Sequence, residues 1–222
     1  MRPFHLLALS TLAALLTGCY TTSAKVIDSG GGQSISQAQA APYNGPQKRI
    51  AVSDFDVRSG QDSREIGSGM STMLTNALFN TGRFIVLERE DLGEVTKEQD
   101  LAASDRFKKQ TAAPKGQLEG AELLIRGSII QFEPNCKGGS AILVSGKEAC
   151  MAINLRIVDA ATGRVVNATT VEATSSSNRV GILWTRGSSL PVGLGAYSKT
   201  PMEAAIRNGI EAAVQHIVNT KL

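Results

Sequence analysis

Between Met151 and Val158 the chain alternates without a break, which puts Met151, Ile153, Leu155 and Ile157 on one side of an extended segment. Period-two alternation over this length is the pattern of a β-strand with one buried face and one wet face. Such strands belong to antiparallel neighbourhoods, because parallel sheets are buried on both sides. Turn residues Asp159 to Gly163 follow, and Arg164 to Ala173 reads as a second strand, so a hairpin is expected. This run commits the chain to a sheet whose core lies on one face.

The segments around it supply what covers that face. Arg49 to Phe55 reads as a first strand and the polar stretch Asp54 to Ser63 as a loop. Asp62 and Glu65 have capping-box spacing, and Ile66, Met70, Met73, Leu74, Ala77 and Leu78 then recur at helical period. Gly82 is placed to stop that helix. Gly67-Ser68-Gly69 lies inside it without a phosphate-loop pattern, which suits close packing. Arg83 to Leu87 is a second strand, Asp91 to Ala103 a surface helix, Ser104 to Gly116 a loop, and Leu123 to Ile130 a further strand. A last helix starts near Pro201, with Ile206, Ile210, Ala213, Val214 and Ile217 as its apolar stripe. This order predicts an α/β (α+β sandwich) fold in residues 48–222, with a mixed sheet flanked by helices and the late strands antiparallel.

The N-terminus reads differently. Leu6 to Leu16 is apolar apart from Ser10 and Thr11, and ends in Leu16-Thr17-Gly18-Cys19. That core has the length of a signal-peptide h-region and is shorter than the roughly 20 residues a membrane-crossing helix needs. Its ending matches a bacterial lipobox, so residues 1–18 are expected to be a lipoprotein signal peptide, with lipidation at Cys19. The alternative is an ordinary signal peptide with an incidental cysteine. Tyr20, where Asp would favour inner-membrane retention, points to the outer membrane and a periplasm-facing domain. Residues 19–47, rich in Ser, Thr, Gly, Gln and Ala, read as a flexible tether.

Export implies an oxidising compartment, so Cys136 and Cys150 form a disulfide candidate at the base of a hairpin; two free thiols are the alternative. No metal site is expected, since the only histidines are His5 in the signal and His216 on the last helix. A net charge of +3 and 5% aromatics, with no basic patch interleaved with aromatics, argue against nucleic acid. Asp54 and Asp56, and Glu88 and Glu90, are acid pairs that follow strands, but no histidine, nucleophile or ligand spacing joins them, so neither an enzyme nor a cofactor is expected.

Two segments fit a compact domain poorly: 131–150 and 174–199. In the second, Val180, Ile182 and Trp184 alternate, then Leu190, Val192 and Leu194, which reads as two amphipathic strands joined by a turn. A hairpin of this kind could face lipid in a shared barrel, although a bilayer-crossing strand needs about 9–11 residues. The other reading is a solvent-facing or subunit-contact hairpin.

The order of the motifs resembles the CsgG/HfaB family of outer-membrane lipoproteins. It rests on the lipobox, on Phe84-Ile85-Val86-Leu87-Glu88-Arg89 with Leu92, on Gly127-Ser128-Ile129-Ile130, and on Asn154-Leu155-Arg156-Ile157-Val158 with Thr162-Gly163. The resemblance implies a homo-oligomeric ring held at the outer membrane. In it, the two odd segments are hairpin extensions that can join an oligomeric barrel, and the partners are exported protein or polysaccharide assembly components. The implied function is a secretion channel or assembly platform for a curli- or holdfast-like surface structure. Val57 to Arg64 has no aromatic residue, so the curli channel's constriction residues find no counterpart there. The alternative function is a non-channel periplasmic lipoprotein ring or accessory scaffold, as in PelC.

Overall fold

The computed structural model describes residues 21–26, 43–57, 63–137, 147–177 and 190–220. Strands β1 (Thr21–Val26), β2 (Lys48–Val52) and β3 (Asp56–Val57) precede helix α1 (Ser63–Asn80). Strand β4 (Phe84–Leu87) and helix α2 (Leu92–Ala102) follow. Then come the long strands β5 (Leu123–Lys137), β6 (Lys147–Asp159) and β7 (Val165–Ser177), and helix α3 (Pro201–Asn219). The sheet order is β1-β7-β6-β5-β2-β4, with β3 beside β5. Strands β4, β2, β3 and β5 pair in parallel, whereas β5, β6, β7 and β1 pair antiparallel. The fold is therefore an open mixed α/β sheet, and its antiparallel half is the one signalled by the alternation at 151–158.

The core lies on a single face. Leu123, Ile125 and Ile129 of β5 join Met151, Ile153, Leu155 and Ile157 of β6 and Val171 and Ala173 of β7, all buried. Helix α1 covers them with Met70, Leu74 and Leu78, and α3 with Ile206, Ile210, Ala213 and Ile217. The other face of the same strands stays wetter: Arg126 and Arg156 stand directly opposite each other there, both exposed. Gly82, with φ of 64°, ends α1 in the left-handed conformation that favours glycine.

Gly127 shows how tight the buried face is. A Cβ there would run into the Phe55 ring, which lies flush on the β5 backbone. Gly127→Ala is expected to cost about 1–3 kcal/mol, the range for overpacking a filled core. The measurement is a lower urea midpoint with an unchanged m-value.

Three expectations need correction. The tether of residues 19–47 contains a strand: β1 pairs with β7 from Thr21↔Ser176 to Val26↔Val171. Its residues are small and polar because it is an edge strand with a largely exposed surface, so it lacks the apolar signature that marks the others. The first strand is not continuous to Phe55; it breaks after Val52, and Asp56–Val57 pair separately with β5. Finally, β5, β6 and β7 extend well beyond their apolar stretches, and residues such as Glu133 and Ser176 continue the ladders with polar side chains. Asp62, half of the expected capping box, lies outside the described residues.

Candidate functional site at the open end of the sheet

Strands β5, β6 and β7 run past the parallel half of the sheet and end around the segments 138–146 and 178–189, which lie outside the described residues. Two irregularities in β5 shape this end. The register steps by one residue at Ile130, between the pairs Ile129↔Ile153 and Gln131↔Ala152. A β-bulge flips the alternation, so Phe132, rather than Gln131, turns to the core face. There it meets Tyr197 edge-on, with ring centroids 5.0 Å apart. Further out, Glu133 pairs with Cys150 and Lys137 with Glu148, so Pro134, Asn135 and Cys136 stand opposite the single residue Ala149. Pro134 has no N–H to offer a ladder, which suits a bulge.

The disulfide spans this second bulge. Cys136 and Cys150 are bonded, with Cα atoms 5.7 Å apart. It ties β5 to β6 where pairing is weakest, at the base of the 138–146 segment. A Glu148 carboxylate oxygen lies within 4.8 Å of both sulfurs. Sulfurs joined to each other are no longer thiolates, and thiolates are what bind metal.

Leu190 to Tyr197 packs beneath this end and is not a strand. Leu194 donates its N–H to the Pro191 carbonyl at 3.0 Å, and Gly195–Tyr197 form a short 3-10 turn. Leu190 is buried and Leu194 fully so, while Val192 is 93% exposed. These three residues therefore do not share a lipid-facing side, which corrects the second half of the expected hairpin. Pro191, Gly193 and Gly195 curl the chain, and the resulting turn imitates a period of two. Gly193 has φ of 90°, and a Cβ there would strike the Glu65 carbonyl. A Cβ on Gly69 would meet the Leu194 side chain at 2.7 Å, and one on Gly67 would overlap the Phe55 carbonyl. The glycines inside α1 thus permit close packing, as expected from their place in the helix. Val180, Ile182 and Trp184 lie outside the described residues, as does Cys19.

Three carboxylates of the acid pairs, Asp54, Glu88 and Glu90, are tied into the scaffold. Glu90 accepts hydrogen bonds from Ser68 and, at 2.8 Å, from Thr72, both on α1. Glu88 accepts the N–H groups of Glu90 and Asp91 at 2.7 and 3.1 Å, closing the turn into α2. Ser71 donates to Asp54 at 3.3 Å. Asp54 and Glu90 thus hold α1 to the loops after β2 and β4.

At the start of α3, Glu203 accepts the Lys199 N–H at 2.6 Å and pairs with Arg207 at 2.8 Å. Burial works against its charge, but the Lys199 N–H and the Arg207 guanidinium outweigh it and hold the carboxyl below its ordinary 4.5. A depressed folded-state value means stability that is present above the unfolded value and lost as pH falls through the folded one. Acid titration of the unfolding midpoint is expected to show a loss beginning below about pH 4.5 that Glu203→Gln reduces.

Among the described residues no helix is long and apolar enough to cross a membrane. An open sheet with one helix-covered face and three strands projecting from one end is the class of domain defined by this geometry. Residues 32–222 match the family model of the curli production assembly/transport component CsgG, and the chain belongs to the CsgG family. CsgG of Citrobacter koseri is 29% identical over 192 residues, covering 75% of this chain and 69% of its own. A protein of Neisseria meningitidis serogroup B, described as a lipoprotein, is 28% identical over 176 residues, covering 71% of this chain and 70% of its own. Among solved structures, a PelC dodecamer from Paraburkholderia phytofirmans covers 87% of this chain and 99% of its own, at 15% identity and a TM-score of 0.32. A lipoprotein from Neisseria meningitidis covers 79% and 100%, at 17% identity and a TM-score of 0.39.

Proposed function

We propose that this chain is an outer-membrane lipoprotein, cut before Cys19 and acylated there, that assembles into a homo-oligomeric ring. The ring acts as a secretion channel or assembly platform for a surface-exported or surface-anchored structure. The observation that carries this reading is the extension of β5, β6 and β7 past the parallel half of the sheet, in a chain of the CsgG family. Strands that outrun the rest of their sheet leave ladder groups and side chains at their ends for something outside the domain to cover. The partners are further copies of the chain, the outer membrane through the lipid, and the components of the exported protein or polysaccharide.

A second reading, a non-channel ring or accessory scaffold, is favoured by one observation. Leu190 and Leu194 are seated in the domain core, so the second extension has only residues 178–189 beyond the ends of β7 and that core segment. Two strands and a turn drawn from those residues alone fall short of the roughly 9–11 residues per strand that a bilayer crossing requires. Labelling of Ile182→Cys in the membrane-bound protein separates the two. Reaction with a lipid-partitioning maleimide and protection from a charged one supports the channel; ready reaction with the charged reagent supports the scaffold.

A further inference from the structure

The lipid anchor and the body of the domain are separated by almost no chain. The sequence alone offers residues 19–47 as a tether, and about 29 residues of flexible chain have a root-mean-square reach of roughly 30 Å, enough for a domain to turn freely at the end of it. Strand β1 removes that freedom. It begins at Thr21, and its register sets Thr21 opposite Ser176 and Thr22 opposite Ser175, at the open end of β7. Several contacts hold it there: Ser23 and Thr174 share a hydrogen bond of 2.8 Å, Val26 packs against the core, and Ala24 lines a shallow depression with Asn208, Glu211, Ala212 and Gln215 of α3. Strand β1 also covers the edge that β7 would otherwise expose.

Only Tyr20 separates Cys19 from Thr21, and at full extension those two residue steps span about 7 Å. We infer that Cys19 acts as a short leash: its acyl chains press the open end of the sheet, the end that carries the Cys136–Cys150 disulfide, against the lipid surface. The β6–β7 turn at the other end is held away from it. This rests on the reading of Cys19 as the lipidated residue. Strand β7 runs from Val165 to Ser177, about 40 Å at ~3.3 Å per residue, so the β6–β7 turn stands roughly that far from the membrane. Residues 27–42 then serve as the return connection to β2 and not as a spacer from the bilayer. The occupant of this surface is a phospholipid headgroup layer.

The test uses the full acylated protein with its disulfide intact, reconstituted in vesicles of phosphatidylethanolamine and phosphatidylglycerol carrying a headgroup-labelled acceptor. A donor dye is placed on Val192→Cys, an exposed site beside the first turns of α1, or on Ala161→Cys in the exposed β6–β7 turn. Mass spectrometry first establishes acylation of Cys19. The expected result is energy transfer several-fold stronger from position 192 than from 161. The difference should vanish when about 20 Gly and Ser residues are inserted between Tyr20 and Thr21, a length whose flexible reach approaches the size of the domain. Equal transfer from both sites in the acylated protein, or stronger transfer from 161, overturns the short leash and leaves the anchor standing. Absence of acyl mass on Cys19 overturns the anchor, and the leash with it.

Discussion

Replacing Leu194 by Ala is expected to cost about 2–5 kcal/mol of domain stability, the range for truncating a fully buried leucine. The residue has no exposed surface, and its side chain sits on Gly69 of α1, so truncation leaves a cavity where α1 meets the 190–197 segment. Urea unfolding of the detergent-solubilised protein reads this as a lower midpoint. The neighbouring Val192→Ala serves as control. With Val192 93% exposed, the change should fall within about 0.5 kcal/mol, as for most surface substitutions. The contrast is informative because a lipid-facing strand predicts the opposite: Leu190, Val192 and Leu194 would then be equivalent, and their truncation would barely affect a detergent-solubilised domain. Equal, small effects at 192 and 194 would contradict the packing described for this segment.

The Cys136→Ser/Cys150→Ser double variant is the second large effect. The bond closes a loop with a sequence separation of 14, and constraining an unfolded chain over such a loop contributes about 3 kcal/mol in the chain-entropy account. The loss should appear equally on reduction of the native protein, and reductant should not shift the variant further. Its location adds a structural consequence. Pairing between β5 and β6 is interrupted at Pro134–Cys136, so the disulfide replaces the missing ladder bonds there. Limited proteolysis between Lys137 and Lys147 should accelerate in the variant well before global unfolding. Unchanged cleavage and an unchanged midpoint would show that the bond adds nothing to the base of this extension.

Much of this architecture was legible in the residues. The alternation at 151–158 marks β6 and its buried face because a one-sided core forces a period of two. The stripes at 66–78 and 206–217 mark α1 and α3 because both lie across that face. The disulfide followed from cysteine number and compartment. What stayed hidden has a common cause: it is held by partners distant in sequence, not by a local pattern. Strand β1 is polar and depends on β7 for its hydrogen bonds. The outer ends of β5, β6 and β7, with Glu133, Asn135 and Lys137, Lys147 and Glu148, and Thr174 to Ser177, are polar stretches that only the neighbouring strands make extended. The segment 190–197 misled because apolar residues alternate with Pro191 and Gly193, whose turn-forming character is the stronger signal. In β5 the slip from Ile125, Gly127 and Ile129 to Phe132 is a bulge written in the sequence, visible once the register is known.

The domain joins a one-sided core to a disulfide-braced open end, where we propose the lipid on Cys19 is attached. That arrangement suits a subunit whose neighbours cover the projecting strands and whose lipid fixes the direction in which they point. Electron microscopy of the acylated, disulfide-intact protein extracted in mild detergent tests the central claim most directly. Closed rings of several copies, with the projecting ends gathered on one side, are the expected result; particles that remain strictly monomeric would contradict it.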